Sequence, residues 1–201
     1  MIVRAAATPK GERRRLALAS AAADLLREGG FDAVRHRAVA QRASLPLAST
    51  TYYFATLEDL LAAAAEYAGS TKLEANRRVV LEITHRRRGA DATADLITEV
   101  LYPDESTAHT VTAGFERMLG AARMPGLRAV HYKLRAQEVE LVSEVLRRSG
   151  RSALPDVARR VVFIADGAAL NIVCDGTASP KVAASAAVAA VLDVIAPPIP
   201  R

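Results

Sequence analysis

Residues 42–54, Arg42-Ala43-Ser44-Leu45-Pro46-Leu47-Ala48-Ser49-Thr50-Thr51-Tyr52-Tyr53-Phe54, decide how this chain is read. Three hydroxyls and two tyrosines share one helix-sized segment, directly after a tight turn at Ser44-Leu45-Pro46. An Arg-rich helical pattern, Arg35 through Arg42, precedes it. Small hydroxyls, phenols and guanidinium groups are the side chains that bond phosphate oxygens and base edges. An ordinary surface helix would carry more Glu, Lys and Gln. The segment reads as an element that enters a DNA groove.

Charge follows the same division. Residues 1–54 hold nine basic side chains (Arg4, Lys10, Arg13, Arg14, Arg15, Arg27, Arg35, Arg37, Arg42) against four acids (Glu12, Asp24, Glu28, Asp32). The whole chain has a formal charge of +5, so residues 55–201 are neutral overall. A basic head on a neutral body is the footprint of polyanion binding. The alternative is a solvated basic face with no partner.

With 201 residues and 51% hydrophobic content the chain has ample material for a core. No apolar run of about 18 residues lacks charge, so no membrane span is expected. The N-terminus has no apolar signal region, and Cys174 is the single cysteine, so a reducing cytoplasm is the expected setting. Cys174 itself reads as a small buried hydrophobe.

The periodicity is helical almost throughout, which predicts an all-α fold of about nine helices. A first helix should open at Pro9 after the cap candidate Thr8 and end at Gly29-Gly30, with Leu18, Ala22, Leu25 and Leu26 inward. Helices at about 35–43 and 47–54 flank the turn. Thr56-Leu57-Glu58-Asp59 resembles a capping box with Asp in place of Glu. Longer helices are expected at about 57–86 (broken or bent near Gly69-Ser70), 91–101, 105–122, 126–148, 155–174 and 180–195. Two short helices about a tight turn, clamped by a longer first helix, match a helix-turn-helix. The domains expected are 1–56, the DNA-binding part, and 57–201, a helical body.

From Ala21 through Leu61 the residues resemble the TetR family of bacterial transcriptional regulators. The resemblance rests on the alanine-rich first helix, Gly30-Phe31, Val39-Ala40, Ala43-Ser44-Leu45-Pro46, the run ending in Phe54, and Glu58-Asp59-Leu60-Leu61. It covers about a quarter of the chain, and order and spacing together make it specific. It implies a recognition helix at 47–54 and a C-terminal body for ligand binding and dimerisation. Arg37 then falls where a side chain can reach a base edge from the second helix, and arginine to guanine is the commonest specific contact. Leu47, Ser49, Thr50, Thr51, Tyr52 and Tyr53 complete the implied DNA-binding set. Either tyrosine can bond a phosphate while the other packs with Phe54. Four positions depart from the family pattern. Thr51 stands where a tyrosine is usual, Ser44 and Ala48 stand for glycines, and Leu57 replaces a phosphate-binding lysine. Losing that lysine should lower the salt slope by about one unit.

In the body, Phe115, Met118, His131 and Tyr132 are candidates to touch an apolar effector pocket, although helical stripes of this kind also serve as core. Asp166 lies inside the apolar run 161–170, where a carboxylate is costly unless paired or at an interface. The resemblance places an acid-glycine pair there in a dimer-forming region, so Asp166, Gly167, Ala169 and Val188 are the expected interface, built from 155–174 and 180–195. Simple intrachain packing is the alternative. Arg13-Arg14-Arg15 either steers the protein along DNA or keeps a face soluble, and His85-Arg86-Arg87-Arg88 reads as a solvated helix end. His36, His85, His109 and His131 show no metal-ligand spacing, so no metal or cofactor is expected.

These features together predict a homodimeric, ligand-responsive DNA-binding regulator, a repressor in most such families, acting on a palindromic double-stranded operator and released by a small-molecule effector. An all-helical enzyme is the competing class, but the chain has no nucleophile elbow, P-loop or dinucleotide fingerprint. An interaction module that has lost DNA binding is a third reading.

Overall fold

Thr8 opens the first helix, α1 (Pro9–Ala33): its hydroxyl accepts the Gly11 N–H at 3.1 Å, and Pro9 needs no partner at the first helical position. The computed structural model describes residues 8–103 and 107–200. Regular geometry in α1 breaks at Gly29 and Gly30, where φ reaches 64°, and one further turn follows to Ala33. Next come α2 (His36–Arg42) and α3 (Leu47–Tyr53). Their junction satisfies the orphan carbonyls of α2: Ser44 N–H donates to Gln41 O at 3.1 Å and Leu45 N–H to Ala40 O at 3.0 Å. That pattern requires a left-handed residue, and Ser44 takes it with φ 52°. The position favours glycine for this reason.

A reciprocal capping box starts α4 (Leu57–Glu82). Asp59 N–H donates to the Thr56 hydroxyl at 3.0 Å, and Thr56 N–H to the Asp59 carboxylate at 3.1 Å. α4 is unbroken across Gly69-Ser70, where a break or bend is expected. Gly69 packs against Leu134, whose side chain would have to shift to admit a Cβ there. The remaining helices are α5 (Ala90–Leu101), α6 (Ala108–Arg123), α7 (Pro125–Arg148), α8 (Pro155–Asp175) and α9 (Pro180–Ile195). The start expected at 105 lies outside the described residues. Among the described residues the fold is nine helices with no strand.

The chain forms two compact units. The first comprises residues 8–71 and Glu116–Leu134, so the unit that holds α1–α3 extends past the expected boundary at residue 56. Leu18, Ala22, Leu26, Val34, Val39, Phe54, Leu60 and Ala64 form its core. Glu58 accepts the Gly126 N–H at 2.7 Å, capping α7 with a negative charge, and Lys133 meets Glu66 at 2.7 Å.

The second unit comprises residues 72–115 and 135–200, with α9 packed along α8 and α5. Its largest fully buried side chain is Arg151, 1% exposed. Arg151 donates to Asp193 at 2.8 Å, to the Ala196 carbonyl at 3.0 Å, and to Thr93 and the Arg88 carbonyl at 3.3 Å. One guanidinium thus ties the end of α9 to the start of α5.

Candidate functional site

Three arginines lie within eight residues of α2 and its flanks, and only one is free. Arg35 is spent locally, on the Phe31 and Val34 carbonyls at 3.1 and 3.0 Å and on Asp32 at 3.1 Å. Arg42 forks onto Glu28 of α1 at 2.9 and 2.7 Å, and this bond holds the Glu28 carboxyl below its usual range. Arg37 is exposed and makes no such bond among the described residues. Its neighbour one turn on, Gln41, is also exposed, at an i,i+4 spacing that puts both side chains on one face of α2.

The recognition-helix candidates divide by face. Leu47 and Tyr52 are 48% and 61% exposed, and Thr51 and Ala48 are exposed beside them. Ser49 is half-buried. Thr50 is fully buried and donates its hydroxyl to the Leu47 carbonyl at 2.8 Å, so it does not face a groove as expected. It belongs to the side of α3 that packs on the core. Tyr53 packs against the core too, meeting Tyr52 edge-to-face with centroids 4.9 Å apart. Arg15 lies 5.4 Å over the Phe54 ring, so one member of the 13–15 cluster helps hold the end of α3.

Of the pocket candidates, Phe115 is buried, Met118 and His131 are half-buried, and Tyr132 is 77% exposed, which does not suit an enclosed wall. The dimer candidates need correction as well. Ala169 and Val188 are fully buried in the packing of one chain, where small side chains let helices approach, and they offer nothing to a partner. Asp166 is paired within its own chain: Tyr102 donates its phenol at 2.5 Å, and Arg135 lies 2.8 Å away. Gly167 is exposed, with open space where a Cβ would stand. The exposed large apolar side chains of these two helices are instead Phe163 and Leu170, two turns apart on α8, and Val182 and Val194 on α9. Cys174, expected to be buried, is exposed on α8.

Residues 88–194, more than half of the chain, match the family profile described as the tetracyclin repressor-like C-terminal domain. The chain belongs to the TetR family. Its N-terminal helix-turn-helix and C-terminal helical body are the architecture of these DNA-binding transcriptional regulators. The chain is similar to the multidrug binding protein EbrR in complex with imidazole, with 30% identity, 94% of this chain and 97% of that chain covered, and a TM-score of 0.66. Against EbrR in complex with proflavin the values are 28%, 89%, 99% and 0.67. A TetR regulator of Haloarcula marismortui shares the fold, with a TM-score of 0.72 at 19% identity, covering 92% of this chain and 99% of that one. No curated protein matches by sequence. Among the described residues of this TetR-family chain, no helix is long and apolar enough to cross a membrane, and no three His, Cys, Asp or Glu side chains are grouped to hold a metal.

Proposed function

We propose that this TetR-family chain is a homodimeric repressor, and not an enzyme, that acts in the cytoplasm on a palindromic operator. The observation that carries the reading is Arg37, exposed on α2 with no hydrogen bond or ion pair among the described residues, together with the exposed Leu47, Thr51 and Tyr52 of α3. Arg37 reads a base edge, Thr51 and Tyr52 contact the groove and its phosphates, and Leu47 supplies an apolar contact at the helix start. The exposed face of α8 through Phe163, Gly167 and Leu170, with exposed Val182 and Val194 on α9, forms the two-fold interface, which sets two half-sites about one helical turn or a multiple of it apart. EbrR has been seen with proflavin, ethidium and imidazole bound, which supports a small organic effector for this chain. Such a molecule releases DNA only if it binds the DNA-free conformation better.

Selection of DNA from a randomised pool, followed by binding titrations at several salt concentrations, tests this reading. The expected result is a palindromic consensus bound by two chains, with affinity falling steeply as salt rises. A chain that selects no sequence, or binds without salt dependence, would sink it.

A further inference from the structure

Helices α4 and α7 each contribute to both compact units, and the first residue of the second unit is Lys72 on α4 and Arg135 on α7. The two cations belong to two sets of polar contacts that meet at residues 101–102. Lys72 donates to the Leu101 carbonyl at 2.8 Å, and Asn76, one turn on, donates to the Val100 carbonyl at 2.6 Å. These carbonyls lie at the C-terminal end of α5, where helical partners run out. Tyr102 follows directly and donates to Asp166 Oδ1 on α8 at 2.5 Å. Asp166 Oδ2 lies 2.8 Å from Arg135 Nη1, and the same nitrogen lies 2.9 Å from Glu138. The end of α5 therefore grips α4 directly and α7 by way of α8.

A run of this kind is a poor way to gain stability, because well-packed apolar side chains commonly do as well. What it supplies is a defined arrangement in which several elements share each partner. Tyr102 and Asp166 join the two grips: Tyr102 directly follows the carbonyls that hold α4, and its phenol meets Asp166, which holds α7 through Arg135. We infer that Tyr102 and Asp166 are positioning residues for operator binding, fixing α4 and α7 jointly from the end of α5. The inference rests on the operator-binding reading above. A physical warrant for coupling is one element that both ends bias, and residues 100–102 fit that description.

The test uses the full chain carrying Tyr102→Phe, Asp166→Asn, or both, with Lys72→Met as an independent break. Amide hydrogen exchange and affinity for DNA selected by the wild type are measured. Exchange should quicken together in α4 beyond Lys72 and in α7 beyond Arg135 in every variant, with operator affinity shifted about 5-fold or more. The double variant should be no worse than the poorer single, since both break one run. Faster exchange confined to residues 100–103 and the surroundings of Asp166, with wild-type affinity, would overturn the inference. If the wild type selects no DNA, the operator reading falls, and the exchange pattern alone still decides whether the two helices respond together.

Discussion

In the head, Glu28 receives both terminal nitrogens of Arg42 on an exposed surface. In the second unit, Glu138 and Asp166 share a single nitrogen of Arg135, and about four-fifths of each side chain is covered. The two pairs leave their glutamates on opposite sides of the ordinary carboxylate value of 4.5. The Arg42 hydrogen bond lowers Glu28; burial raises Glu138 despite the attraction of Lys72 and Arg135. Charge in the head thus lies on the outside, where it can meet a polyanion without disturbing the fold. Around Arg135 in the second unit, charge is internal structure.

Removing one cation from each region should show the largest contrast. Arg151→Ala strips Asp193, Thr93 and two carbonyls of a fully buried partner and should lower stability by about 3 kcal/mol in denaturant unfolding. Arg42→Ala, by comparison, should barely move the unfolding midpoint, since exposed ion pairs contribute little. Equal losses in the two variants would break the distinction.

The two glutamates give a subtler, pH-resolved difference. For Glu28, whose folded carboxyl is lowered, the stabilisation is present at neutral pH and fades as pH falls through the carboxylate range. For Glu138, whose folded carboxyl is raised, the proton is held more tightly in the folded chain. Its stabilisation is complete below about 4.5 and is lost as pH rises through the higher folded value. Glu138→Gln should therefore unfold at a higher midpoint than wild type at neutral pH, the gap closing as pH is lowered through that range. Glu28→Gln should show the reverse trend. Thermal melts across pH 4–8 check both, and a Glu138→Gln variant that is less stable at neutral pH would contradict the burial argument.

The smallest effect expected is a gain. Ser44 holds a left-handed conformation at φ 52°, so Ser44→Gly should stabilise the head by about 0.5–1 kcal/mol, read from chemical denaturation.

How far these features were legible depends on what kind of physics sets them. Caps and turns are local, so Thr8, the Thr56–Asp59 box and the turn at Ser44 could be read directly from the chain. Facing is not local. Thr50 and Thr51 are adjacent and chemically identical, yet one is sealed against the core and the other is exposed. Small apolar residues suit either an internal helix seam or a subunit interface, and so Ala169 and Val188 were assigned outward when they lie inside. Glycine is a poor helix former, so Gly69 reads as a break, but in the fold it sits against Leu134, 65 positions later. Which arginine is free was likewise invisible, because Arg42 is occupied by an acid from another helix.

The most direct test of the account compares operator affinity for Arg35→Ala, Arg37→Ala and Arg42→Ala on DNA selected by the wild-type chain. The account predicts that Arg37→Ala alone loses about 1–3 kcal/mol of binding and relaxes preference at one base position in each half-site, with folding intact. Equal losses from all three, or a silent Arg37→Ala, would mean that the head meets DNA through undirected charge and that α2 reads no base.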